Sequence, residues 1–375
     1  MKRNPLLELE AFGQSIWLDY IDRHLLESGA LGRLIEEDGL SGLTSNPAIF
    51  DEAIEGSHYY DNAIRAFQQE GKSAEEIYET LVIEDIRDAA DLFRPLYERL
   101  EGRDGFVSIE VNPGLARDAG ASITEARRLW AEVDRPNVMI KIPGTVEGLQ
   151  ALRRLTNDGI NVNVTLLFGF SRYRRVADAY MAGLEERAAR GFPIDRVASV
   201  ASFFLSRIDV AVDRMLEEMI EKGGIEATHA GRLHGEAAVS CAKRIYQLYR
   251  EVFGGVRFAK LAALGARTQR PLWASTGVKN PLYPEVKYVE ALIGPETVNT
   301  LPRKTLAAYR DHGNPAPRLE EDLDRAGTNL ELLWDLGIDL DALVSKLEDE
   351  GIRKFEKPYD HLIANLEKRQ APASA

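Results

Sequence analysis

The chain has 375 residues, 45% of them hydrophobic and 29% charged, enough to bury a large core and too apolar for a disordered protein. A formal net charge of −13 argues against nucleic acid or an anionic membrane as partner, and an anionic substrate would need a local cluster of cations. The one cysteine, Cys241, excludes an intramolecular disulfide and any multi-cysteine metal site, and reads as a small core residue.

The lead from Met1 to Phe12 mixes Lys2, Arg3, Glu8 and Glu10 with no apolar core, unlike a secretory signal. No run of about 18 apolar residues follows anywhere, so nothing spans a membrane and a soluble cytoplasmic protein is expected. Ser15 to Tyr20 reads as a first strand ending near Asp19, and Leu25 to Ile35 as a helix. Leu40 to Ser45 is a second strand closed by Thr44-Ser45-Asn46-Pro47. The stretch from Phe50 to Leu100 is helical in pattern, with Ser73 and Glu76 spaced as a capping box. Gly71-Lys72-Ser73 looks like the end of a phosphate-binding loop, but Ala66 stands where its first glycine belongs, so it reads as a helix start.

Phe106 to Val111 is a third strand, stopped by Asn112-Pro113-Gly114, and Ser122 with Glu125 offers a second capping box. The fourth strand, Val138 to Ile142, is nearly all apolar and carries one cation, Lys141, before Pro143 and Gly144 end it. Thr145 is placed to cap a helix whose apolar residues Val146, Leu149, Leu152 and Leu155 recur at helical spacing. Strands follow at Gly159 to Phe168, Arg196 to Phe204, Pro271 to Ser275 and Thr297 to Leu301, with helical patterns between them and a strand-free stretch from 303 to 370. A short Ala/Pro/Ser tail begins at Ala371.

Eight short strands, most followed by a helical pattern, fit one (β/α)₈ barrel over 1–375 with 303–370 as a helical extension. An open doubly wound sheet would alternate in the same way, but no Gly-x-Gly-x-x-Gly follows a strand to support a dinucleotide site. Ligands meet such folds at the carboxyl ends of the strands. Those ends carry Asp19, Asn46, Glu110, Lys141, Asn163 with Thr165, Ser202 and Ser275. Each has a plain reading: Asn46 makes a turn before Pro47, Asp19 pairs with Arg23, Lys141 snorkels to water or pairs with a carboxylate. Together they would converge on one pocket.

A lysine with a pKa near 10.4 is only about 0.04% neutral around pH 7, so a nucleophilic role requires a site that lowers that value. Desolvation among Ile140 and Ile142 would do so. A carboxylate in contact would oppose it, so Glu110 is expected to act through a water and not as a tight ion pair. No histidine stands at a strand end, which argues against a zinc-dependent reaction and for catalysis without metal.

At these residues the chain resembles the transaldolases, Schiff-base enzymes of the pentose phosphate pathway. The likeness runs in order through Leu43-Thr44-Ser45-Asn46-Pro47, Ser108-Ile109-Glu110-Val111, Lys141-Ile142-Pro143-Gly144-Thr145, Gly159 to Phe168, and Ser202 to Arg207. It implies that Lys141 forms an imine with C2 of a ketose phosphate and that Asp19 is the general base at the C4 hydroxyl. Glu110, with Thr165 holding a water, would move the protons of carbinolamine formation. Asn46, Asn163 and Ser202 would hydrogen-bond the dihydroxyacetone fragment, and Phe204 would wall the site. Arg207 fits the family's phosphate-binding arginine. Ser275 carries over, but where many relatives place a second arginine close behind that serine this chain has only Lys279.

Sugar-phosphate partners and no cofactor follow from the resemblance, which leaves a homo-oligomer open. It is to the longer bacterial type, sometimes fused to a phosphoglucose isomerase, and with 303–370 helical and an end at Ala375 no such second enzyme is expected. A fructose-6-phosphate aldolase with the same Schiff base, and a non-catalytic sugar-phosphate-binding barrel, are the alternatives.

Overall fold

In the computed structural model, which describes residues 4–370, the strands are β1 (Gln14–Asp19), β2 (Leu40–Thr44), β3 (Phe106–Glu110), β4 (Val138–Pro143), β5 (Val162–Leu167), β6 (Ser199–Phe204), β7 (Arg270–Ala274) and β8 (Thr297–Leu301). Lys2 and Arg3 of the charged lead, and the tail from Ala371, lie outside the described residues. The eight strands pair in chain order, β8 returning to β1, into a closed parallel barrel. Every residue of β4, β5 and β6 is buried. Side chains on one face fill the barrel and those on the other meet the helical ring, so continuous apolar runs replace simple alternation.

The cores of the predicted strands hold, and the ends shift by one to three residues because hydrogen bonding stops where the turns take over. Ser73 does cap Ala74–Arg99 in a capping box, which accounts for Gly71-Lys72-Ser73 as a helix start. The expected second box is different: the helix Ala119–Val133 begins earlier, capped by Asp118, and Ser122 instead donates its hydroxyl to the Leu115 carbonyl. The helix expected over Leu25–Ile35 is two, Arg23–Glu27 and Ala30–Asp38, broken where Gly29 adopts φ +70°. The helical stretch before β3 likewise divides into Pro47–Glu55, Asp61–Gln69 and Ala74–Arg99.

Residues 303–370 form three helices and no strand, but not all of these helices extend the barrel. Arg303–His312 directly follows β8 and packs on β1 and β8, completing the last βα unit. The helix Leu323–Asp335 lies on Ala237–Phe253. The final helix, Leu340–Gln370, turns back across the carboxyl ends of the strands, touching β5, Pro47–Glu55, Ala74–Arg99 and the turn Pro113–Leu115. It buries Leu347, Ile352, Phe355, Leu362 and Leu366 there. Among the described residues no helix is long and apolar enough to cross a membrane.

Candidate active site

β4 delivers Lys141 and then has to leave the barrel sharply. Gly144 permits this, since a Cβ at that position would sit 2.3 Å from Leu167 Cδ2. Thr145 then caps the next helix by accepting from the Gly148 amide at 2.9 Å, while its own hydroxyl donates to Ala116 O at 2.7 Å. The turn that ends the strand is thereby rigid, and Lys141 inherits its position from the barrel.

The parallel register sets what Lys141 meets. Glu110 on β3 and Asn163 on β5 are its Cα partners, so the three side chains form a row across neighbouring strand ends. Lys141 Nζ lies 3.2 Å from Glu110 Oε2 and 3.0 Å from the Ser45 carbonyl, with both charged side chains only 5–6% exposed. The expectation that Glu110 would not form a tight ion pair with Lys141 is therefore corrected. Directly opposed residues of adjacent strands bring side chains into contact, and burial favours pairing over two separate desolvated charges. Burial raises the Glu110 pKa above the ordinary carboxylate range, against the pull of Lys141.

A cavity of about 100 Å³ opens beside Lys141, lined also by Asp19, Asn46, Thr165, Ser202, Phe204, Arg207 and Ser275. Most of the predicted residues are thus brought together. Asp19 does not pair with Arg23, which instead binds Asp85 and Glu84; it accepts from Thr44 Oγ1 at 2.8 Å. Asn46 keeps its turn role as well, its Oδ1 capping Pro47–Glu55 by accepting from the Ile49 amide, so its NH₂ group is what remains for a ligand. Thr165 Oγ1 is buried with no partner among the described residues. The next residue, Leu166, has φ +59° at an irregularity in the β5–β6 pairing.

Glu110, Asn163 and Lys279 do not line this cavity. Asn163 is fully buried behind it, its NH₂ donating to Ser108 Oγ at 3.1 Å and its Oδ1 accepting from Ser202 Oγ at 2.7 Å. Its geometry orients Ser202. Lys279 lines a second, larger chamber of about 870 Å³ that shares Arg207 and Ser275 with the first. That chamber adds Arg214, Lys346 and Lys354, against the carboxylates Glu218 and Glu350. Arg207 stands at the junction, and its Nη1 is buried without a hydrogen-bond partner among the described residues. The guanidinium lies 5.2 Å from the Phe204 ring and 5.7 Å from that of Phe355. Desolvation lowers the Arg207 pKa, and Glu110, Glu350 and Asp19 oppose it. A half-buried cation whose Nη1 is an unused donor, at the mouth of a polar cavity, is suited to hold a phosphate.

The sequence profile described as Transaldolase/Fructose-6-phosphate aldolase matches residues 16–366. The chain belongs to that family. It is 52% identical over 363 residues to the transaldolase of Thiobacillus denitrificans, covering 97% of this chain and 99% of the relative. It is 48% identical to the transaldolase of Trichodesmium erythraeum and 46% identical to that of Saccharopolyspora erythraea, each over 98% of both chains.

Several residues of this family member's pocket escaped the sequence reading. Thr44 and Thr300 line the cavity and meet through their hydroxyls at 2.9 Å; Thr300 sits near the end of β8, where the strand-end rule applies equally. Phe355 has no local signal. Its ring, 5.4 Å from Lys141 Nζ, reaches the pocket only because the final helix folds back. Away from the pocket, Asp51, Glu55 and His361 bring their ligand atoms within 4.8 Å of one another on the surface, where they tie the final helix to Pro47–Glu55.

Proposed function

We propose that the protein is a transaldolase, moving dihydroxyacetone from sedoheptulose 7-phosphate or fructose 6-phosphate to glyceraldehyde 3-phosphate or erythrose 4-phosphate. The observation that carries this reading is Lys141, in buried contact with Glu110, on a cavity that it shares with Asp19 and Arg207 while Glu110 stands behind it.

Glu110 takes a proton from the Lys141 ammonium, and the neutral amine attacks C2 of the ketose. Protons passed through Glu110, with a water at Thr165, turn the carbinolamine into an imine and one water. Asp19, oriented by the Thr44 hydroxyl, takes the C4 hydroxyl proton. The C3–C4 bond breaks, its electrons pass to the protonated imine nitrogen, and the aldose phosphate leaves. The remaining enamine attacks the acceptor aldehyde, Asp19 returns its proton to the new hydroxyl, and water hydrolyses the imine. The imine nitrogen is the electron sink, so these steps call for no metal ion. Asn46 and Ser202 hold the three-carbon unit, and Asn163 fixes Ser202. Arg207 and Ser275 hold the phosphate, with Lys279 and the lysines of the final helix as the surrounding cations.

The test is reductive trapping. The protein is incubated with fructose 6-phosphate, reduced with borohydride, and mapped by intact mass and peptides. An adduct confined to the peptide containing Lys141, and absent from Lys141→Ala, supports the reading; binding without an adduct overturns it in favour of a non-catalytic barrel. Product formation with and without acceptor aldehyde then separates transferase from fructose-6-phosphate aldolase.

A further inference from the structure

Glu110 borders a second space that the steps above do not use. It does not line the cavity beside Lys141; it lines a separate one of about 390 Å³ on the other side, between Ala74–Arg99, Ala119–Val133 and the final helix. Val82, Leu115 and Leu129 form part of its walls, Tyr78 and Tyr359 stand in T-shaped contact along another, and the exposed Glu75 and Glu76 open it to solvent. Glu110 thus lines the one space and touches Lys141, which lines the other. Glu110 Oε2 accepts from Lys141 Nζ at 3.2 Å.

Schiff-base chemistry releases one water for each imine formed and consumes one for each imine hydrolysed. The cavity beside Lys141, about 100 Å³, has little room for that water once a sugar fills it, since each water takes about 30 Å³ in the liquid. The Phe355 ring and the final helix cover the same opening. The cavity behind Glu110 is polar at its rim and roomy enough for several waters.

We propose that this cavity is a rear entrance through which water and protons reach Glu110 while the sugar phosphate occupies the mouth. Glu110 thereby exchanges with solvent on the side away from the substrate. The proposal rests on the Schiff-base reading.

The experiment places the protein and fructose 6-phosphate, without acceptor, in ¹⁸O-labelled water. Label entering the C2 oxygen of recovered sugar is followed by mass spectrometry, after subtraction of the uncatalysed exchange. Val82→Phe and Leu115→Trp narrow the passage from two sides, and Val82→Ala leaves it open. Expected is a severalfold slower exchange in both narrowed variants, with the borohydride-trapped fraction at equilibrium unchanged and Val82→Ala exchanging like the parent protein. If the narrowed variants fold, trap normally and exchange at the parent rate, the rear entrance is wrong and the Schiff-base reading survives. If the parent protein traps no adduct, it is the underlying reading that fails. Should one narrowed variant not fold, the other, on the opposite wall, decides alone.

Discussion

Glu110 and Lys141 are direct register partners on β3 and β4, and their side chains meet at 3.2 Å, nearly excluded from water. A barrel strand end gives neither residue the freedom to turn away. Burial raises the Glu110 pKa against the pull of Lys141, so this carboxylate takes up a proton more readily than one in water. That contact supplies what a nucleophilic lysine needs, a base within reach and a low dielectric around it.

Glu110→Gln should lower kcat by about 10²- to 10⁴-fold, the usual range for loss of a general acid–base group. The pH profile is the sharper readout. Burial raises the Glu110 pKa, and the group accepts protons only when ionised, so activity should fall as pH drops through a value above the ordinary carboxylate range. In Glu110→Gln that acidic limb should vanish; a limb that persisted would assign the ionisation to another group.

Asp19→Asn should separate imine formation from bond cleavage. Asp19 touches Thr44 and not Lys141 in the hydrogen-bond pattern, so the amine and its base remain intact in this variant. Reduction after incubation with fructose 6-phosphate should then trap the whole six-carbon phosphate on Lys141, where the parent protein leaves a three-carbon adduct. A three-carbon adduct formed at the parent rate would remove Asp19 from the cleavage step.

Arg207→Ala should raise KM for sugar phosphates by about 10- to 100-fold, on the basis that a hydrogen bond to a charged group contributes about 1.5–3 kcal/mol. Removing Lys279, Lys346 or Lys354 singly should cost less and be more sensitive to salt, because these lysines ring a wide chamber shared with solvent. Steady-state KM at two ionic strengths distinguishes the two classes. If Lys279→Ala alone matched Arg207→Ala, the second phosphate cation would lie after β7, and the final helix would have no part in binding.

What the sequence made legible was whatever depends on neighbouring residues. The apolar run around Lys141, the Pro143-Gly144 stop and the Thr145 cap are local signals, and alternation gives a parallel α/β sheet, whose closure into a barrel the structure adds. The distance between Glu110 and Lys141 was not legible, since it is set by the register between strands and not by either strand. The resemblance implied a substrate contact for Asn163, and its amide bonds to Ser108 and Ser202, a pairing across strands that no single strand reveals. Phe355, Lys346 and Lys354 were out of reach for a different reason. They enter the site through a fold-back of the final helix from residues about 200 positions beyond Lys141, and helical periodicity says which face is buried but not against what.

That fold-back supplies the last prediction. Glu348 on the final helix is nearly buried and pairs with Arg117 at 2.9 Å and Arg172 at 2.8 Å, residues that follow β3 and β5. Three residues further on, Gly351 lets the helix approach Arg207: a Cβ there would lie 3.2 Å from Nη1 and 2.9 Å from Leu166 Cδ2. The two positions therefore separate anchoring from access. Glu348→Ala should destabilise the protein by about 1–2 kcal/mol, less than a fully buried pair because Arg117 and Arg172 can both reach water. Gly351→Ala should behave oppositely, since alanine favours a helix over glycine by about 0.5–1 kcal/mol. Its melting temperature should hold or rise while KM for sugar phosphates increases severalfold as Arg207 is displaced. Calorimetry and steady-state kinetics on both variants check this. A Gly351→Ala protein with unchanged KM would mean that Arg207 is not held against the final helix when substrate binds.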